Sequence, residues 1–143
     1  MSFDLSALFA DCGLLGVALS AFTSATILPG TSEAAVLAYQ VLRPEQTVSL
    51  LAVASAANTA GSMCSYLIGR LIPQRRQIPE RASNWLERFG PLAMALCWVP
   101  LAGDAIPIAA GWMRLPAWSC TICCALGKTL RYAFILGICR IFL

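Results

Sequence analysis

Two stretches decide the fold: Ile27-Leu28-Pro29-Gly30-Thr31-Ser32-Glu33-Ala34-Ala35-Val36-Leu37-Ala38 and Trp98-Val99-Pro100-Leu101-Ala102-Gly103-Asp104-Ala105-Ile106-Pro107-Ile108-Ala109. In each, Pro and Gly interrupt an apolar run, and an acid follows. A second piece of nine uncharged residues then begins, Ala34–Leu42 in one case and Ala105–Met113 in the other. As helix, nine residues rise about 13.5 Å. That is too short to cross a hydrocarbon core of roughly 30 Å, and the piece is too apolar for a surface loop. A broken helical hairpin that enters and leaves the membrane on one side accounts for both features. Its tip, at Pro29-Gly30 or Pro100 to Gly103, is tolerable only where it is buried in protein or lines a wet cavity.

The likeness extends outward from these tips. A shift of 71 residues places Pro29 on Pro100, Glu33 on Asp104, Ala34 on Ala105, Ala38 on Ala109 and Arg43 on Arg114. A shift of 70 places Asn58-Thr59 on Lys128-Thr129, Ile68 on Ile138 and Arg70 on Arg140. The order of these matches, and their coincidence with the breaks, predicts an internal repeat. Each unit is a re-entrant hairpin followed by one spanning helix. The spanning candidates are Gln46–Gly69, which has 24 residues without charge or Pro, and Leu115–Cys139, which is interrupted only by Pro116, Lys128 and Arg131. An odd number of crossings per unit turns the second unit upside down relative to the first. Inverted repeats with broken helices are an architecture of secondary transporters. The expected fold is therefore an all-α integral membrane protein, an inverted repeat of re-entrant hairpin plus transmembrane helix. It forms a single membrane domain over 1–143, with unit 1 at about 12–69, a basic connector at 70–88 and unit 2 at about 89–139.

Composition agrees. Of 143 residues, 59% are hydrophobic and 12% charged, against roughly a quarter charged in soluble domains, and mean hydropathy is +0.74. A globule this small has too little interior to hide so much apolar sequence. Histidine is absent, which removes imidazole metal sites, triads and proton shuttles. A net charge of +3 is too mild to indicate nucleic acid. The seven cysteines sit in or beside apolar runs, as small hydrophobes do. Cys120-Thr-Ile-Cys123 has the C-x-x-C spacing but no second pair to close a metal site, so neither metal nor cofactor is expected. The first residues carry Asp4 and Asp11 and no base, unlike a secretory n-region.

The connector holds Arg70, Arg75, Arg76, Arg81 and Arg88 against Glu80 and Glu87. The positive-inside rule places it on the cytoplasmic side and both termini outside. Ala82, Trp85, Leu86 and Phe89 follow helical spacing, which predicts an interfacial helix with Pro79 in its first turn. Trp85, Trp98, Trp112 and Trp118 stand near segment ends, as an aromatic belt would.

The candidate site is ionic. Glu33 follows 21 uncharged residues and opens a helical piece whose free N–H groups favour its charge; Asp104 repeats the arrangement. Ionisable groups at membrane depth are costly and usually line a pathway or proton relay. Lys128 and Arg131 lie three apart, on one helical face near the middle of the second span. Two acids at hairpin tips and two bases on a facing helix balance. Asn58 is the neutral counterpart of Lys128 in the first unit, which leaves Glu33 and Asp104 as the groups that change protonation. The bland reading is a structural ion-pair cluster in a scaffold or assembly factor. No Ser or Cys has a visible base, so an enzyme is not expected. The small residues of Ala52–Ser65 allow close helix packing.

These residues carry a resemblance. The run Ser24–Glu33, Asn58…Gly61…Gly69-Arg70, Trp98–Asp104, Ala110-Gly111-Trp112-Met113-Arg114 and Gly127-Lys128…Leu130-Arg131-Tyr132 resemble the signature of small YqaA-type bacterial inner-membrane proteins. That group is a short branch of the DedA, SNARE-associated or VTT-domain, superfamily, and the resemblance covers about residues 20 to 135. It implies two facing re-entrant hairpins and an inner-membrane location. It further implies movement of a lipid or lipid-linked phosphate between leaflets, in better-studied branches tied to polyprenyl phosphate recycling and the proton-motive force. Glu33 corresponds to the acid of the first hairpin. Larger members have Arg-rich motifs around the second hairpin; here the tip reads Gly103-Asp104 and the nearby bases are Arg114, Lys128 and Arg131. The expected partners are membrane lipids and protons, with no nucleic acid, and the size is compatible with a homo-oligomer.

Overall fold

The computed structural model describes residues 5–25, 31–73, 80–99 and 105–142. All regular structure among them is helical: α1 (Leu5–Ser24), α2 (Thr31–Leu42), a 3-10 turn (Pro44–Gln46), α3 (Thr47–Leu71), α4 (Glu80–Phe89), a 3-10 segment (Gly90–Trp98), α5 (Ala105–Trp112) and α6 (Ala117–Phe142). The hairpin tips Pro29-Gly30 and Pro100 to Gly103, the acid Asp104, and Pro79 lie outside the described residues.

Helices α3 and α6 are long and apolar enough to cross a bilayer, with 25 and 26 residues. At 1.5 Å per residue they measure about 38 and 39 Å. Neither looks like the core helix of a soluble protein, whose apolar residues would be covered. Along α6, Trp118, Ile122, Leu126, Leu130, Phe134 and Ile138 are all exposed, and α3 exposes Val48, Leu67, Ile68 and Leu71. An uncovered apolar ribbon over the full length of a helix suits lipid and not water.

Chain punctuation explains the remaining boundaries. Gly13, at φ 55° and ψ −137°, breaks α1 near its middle. Gly90, at φ 56°, ends α4 and redirects the chain, with Pro91 following. The nine residues Gly90–Trp98 wind as 3-10 helix, longer than is common. Between α2 and α3, Thr47 Oγ1 donates to the Pro44 carbonyl at 2.7 Å and Tyr39 OH donates to Gln46 Oε1 at 2.7 Å, sealing a tight turn. Between α5 and α6, Leu115 N–H reaches back to the Ala110 carbonyl at 3.1 Å, the long bond of a Schellman cap. The left-handed residue there is Arg114, at φ 55°, where glycine is usual.

Two buried clusters form the interior. Tyr66, Leu86, Met94, Ile106, Cys120 and Cys124 bring together α3, α4, the Gly90–Trp98 segment, α5 and α6. Val17, Val36, Tyr39, Leu50, Tyr132 and Leu136 join α1, α2, α3 and α6. Helices α3 and α5 cross with their backbones in contact. A Cβ at Gly111 would meet the Tyr66 carbonyl, and one at Gly69 would meet the Ile108 carbonyl. Small residues at such crossings are how helices approach closely in lipid.

Two outcomes follow. Gly111→Ala forces α5 off α3 and should cost about 1–3 kcal/mol, read as a lowered thermal midpoint in detergent. Arg114→Gly relieves the left-handed backbone and should raise stability by about 1 kcal/mol in the same assay.

Candidate functional site

The site forms where α2, α3 and α6 meet. Asn58 lies near the centre of α3, eleven residues after Thr47, and Lys128 lies at the same distance along α6 from Ala117. The two side chains are 3% and 2% exposed, so the helices meet polar centre to polar centre. Lys128 Nζ donates to Asn58 Oδ1. Asn58 Nδ2 in turn donates to Tyr132 OH at 2.9 Å and to the Ala21 carbonyl of α1 at 2.9 Å. A primary amide offers two donors and a carbonyl oxygen with two lone pairs. Here both donors and the carbonyl oxygen are engaged, and one side chain ties α1, α3 and α6 together.

One turn further along α6, Arg131 Nη2 pairs with Glu33 Oε1 from the first turn of α2. The Arg131 side chain is 16% exposed and that of Glu33 is 38% exposed. Glu33 therefore has two compensations for its charge, the guanidinium and the N-terminal end of α2. Insertion scales put a lone Arg or Lys at a helix centre at about +2.5 to 3.5 kcal/mol. The Glu33 carboxylate and the Asn58 carbonyl offset that cost for α6.

Buried hydroxyls stand around these contacts, Ser32 on α2 and Ser55, Thr59 and Ser62 on α3, of which Ser55 and Thr59 have no hydrogen-bond partner among the described residues. Ser32 and Ser62 are 1% exposed, so both α2 and α3 carry hydroxyls into the interior. A second polar knot lies toward the end of α3. Tyr66 OH donates to the Leu115 carbonyl at 2.5 Å, and Arg70 Nη1 donates to Tyr66 OH at 3.2 Å.

The structure thus brings together four of the residues singled out in the sequence: Glu33 with Arg131, and Asn58 with Lys128. It does not place Arg114 with them, since that residue is exposed in the α5–α6 turn. Asp104 is outside the described residues. Tyr132 was missed as a site residue. Its position four after Lys128 puts it on the same helical face, and a phenol inside an apolar span needs a hydrogen-bond partner. That was the available signal.

The pairing of Asn58 with Lys128 is a strong constraint. Asn58→Leu removes the acceptor and leaves a buried ammonium uncompensated, at a cost of about 3–5 kcal/mol. Lys128→Met in the same protein should recover most of that loss. A double-mutant cycle on unfolding in detergent reads both, and simple additivity would contradict the coupling.

The chain is 35% identical to the inner membrane protein YqaA of Escherichia coli strain K12 over 121 residues, 83% of this chain and 85% of that protein. It has the same identity and coverage to the Shigella flexneri protein of that name. An uncharacterized protein of Haemophilus influenzae is 37% identical over 135 residues, 87% of this chain and 86% of its own. No family model matches the chain, and no solved structure matches it.

Proposed function

We propose a function from one established premise: the chain belongs to the YqaA family of bacterial inner-membrane proteins, a branch of the DedA superfamily. It is an integral protein of that membrane. The proposal has an architectural and a chemical part.

The architectural part is an inverted repeat of re-entrant hairpin plus spanning helix. Three packing relations support it. Helix α1 lies on α3 as the Gly90–Trp98 segment lies on α6; α1 meets α2 as that segment meets α5; and α5 reaches back to α3 as α2 reaches α6. A fourth is more specific. Asn58 and Lys128, which the 70-residue register superposes, touch one another. Two residues that a twofold axis exchanges can touch only beside that axis.

The chemical part is a DedA-type transporter that moves a lipid or lipid-linked phosphate between leaflets, coupled to protons. Glu33 and Asp104 carry the proton, while Lys128 and Arg131 offset the charge of the headgroup. The observation that carries this reading is an ion pair and a buried ammonium at the middle of the spanning helices. Charge placed there is expensive, and proteins retain it mainly along pathways and relays.

A second reading is a non-transporting scaffold with a structural charge cluster. It is favoured by the way Asn58 engages both donors and its carbonyl while joining three helices. Glu33→Gln in proteoliposomes separates the two, with flipping of a fluorescent lipid measured at matched insertion. The transport reading expects at least a tenfold loss of rate with protein recovery maintained. An unchanged rate sinks it. A loss that merely tracks the amount of folded protein supports the scaffold.

A further inference from the structure

Helix α4 is mostly polar, yet apolar residues gather on one side, at Trp85, Leu86 and Phe89. That side is divided between two environments. Leu86 is 1% exposed and belongs to the core cluster with Tyr66 and Met94. Trp85 and Phe89, on its outer edge, remain 48% and 45% exposed. Their rings lie 5.8 Å apart at 43°, and the Arg88 guanidinium lies 5.6 Å from the Phe89 ring centroid. Helix α4 packs on both the Gly90–Trp98 segment and α5, so this aromatic pair is held on the body of the protein. Leu92, 67% exposed, follows it in the chain.

Three occupants could cover such a face: a second copy, another protein or the bilayer surface. Charge decides among them. Residues 70–88 carry five arginines against two glutamates, an excess of +3. A second copy would bring the same excess and be repelled. The connector also leaves the end of a membrane-crossing helix nine residues before α4 begins, which keeps it close to the headgroup layer. Aromatic rings with arginine beside them suit that layer, where one end of a side chain is wet and the other apolar.

We propose that α4 is a docking surface for anionic phospholipid headgroups. Trp85 and Phe89 enter the upper acyl region. Arg88, stacked against Phe89, turns its N–H donors to phosphate oxygens, and the net positive charge of the connector sequence favours an anionic surface. This surface is independent of the transport reading and holds for a scaffold as well.

The test uses the full-length protein with Trp98, Trp112 and Trp118 replaced by Phe, leaving Trp85 as the sole indole. It is reconstituted in equimolar phosphatidylcholine and phosphatidylglycerol, with bromine placed high on the acyl chains of one species or the other. Brominated phosphatidylglycerol should quench Trp85 more than brominated phosphatidylcholine. Near an anionic surface each basic residue is worth ~1 kcal/mol, about fivefold in local enrichment. Arg88→Gln should lower the preference by about that factor, and Arg88→Lys, which keeps the charge, should retain it. Gln at this exposed position leaves the Leu86 contact intact, so the fold persists. Equal quenching by the two lipids, or an Arg88→Gln protein with full preference, overturns the proposal. Emission that responds to neither lipid also overturns it, and assigns the face to a protein.

Discussion

A cation in hydrocarbon must have a partner, and α6 carries two of them. Lys128 and Arg131 flank the midpoint of a helix whose outer side is a ribbon of exposed aliphatic and aromatic residues. Arg131 reaches the carboxylate of Glu33, so the start of α2 must sit against the middle of α6. Lys128 reaches Asn58, so α3 must cross α6 centre to centre. Asn58 completes its donors on α1 and on Tyr132, which fixes a further helix. Placement of α1, α2 and α3 around α6 follows from satisfying two positive charges.

Packing then does for the second half what charge does for the first. Helix α5, with eight residues, cannot span anything alone, and its place is set by close approach to α3 at Gly69 and Gly111. The Tyr66 to Leu115 hydrogen bond pins the turn that leads from α5 into α6. Within a bilayer the hydrophobic effect gives helices no reason to associate, so contact of this kind, together with interhelical hydrogen bonds, has to hold them. Arg114 fits the same account. Its left-handed backbone stores strain in the turn that closes the Schellman cap, beside the carbonyls that its side chain can complement at a helix end.

Legibility in the sequence varied with contrast. Helix α4 could be read directly, because its polar and apolar sides differ and its end charges suit the helix dipole, Glu80 first and Arg88 last. Helices α3 and α6 could be read as spans from length and lack of charge. Their inward faces could not be read. Lipid and protein interior are both apolar, so the alternation that marks a buried face in water is erased. What remained visible on α3 and α6 were the polar exceptions, and Asn58, Lys128 and Arg131 were found for that reason. Tyr132 entered only as part of a motif and was given no role, because beside Lys128 and Arg131 a neutral phenol adds no charge to notice. The 3-10 winding of Gly90–Trp98 and the break at Gly13 were not legible either, since both depend on how neighbouring helices press on an apolar run.

The two members of the ion pair are not chemically equivalent, and the difference gives the proposed mechanism its direction. Arginine keeps its proton in proteins, whereas a carboxylate can take one up. Glu33 is also the more exposed partner, at 38% against 16%, so the group able to exchange a proton is the less enclosed of the two. Protonation of Glu33 leaves the Arg131 guanidinium charged and without its carboxylate at membrane depth, a state that costs several kcal/mol. In the proposed transport cycle an anionic headgroup arriving at that moment would offset the cost, and its departure would restore it until the carboxylate ionised again. Proton entry and anion entry would thus favour one another through one shared cation, with no separate coupling element required.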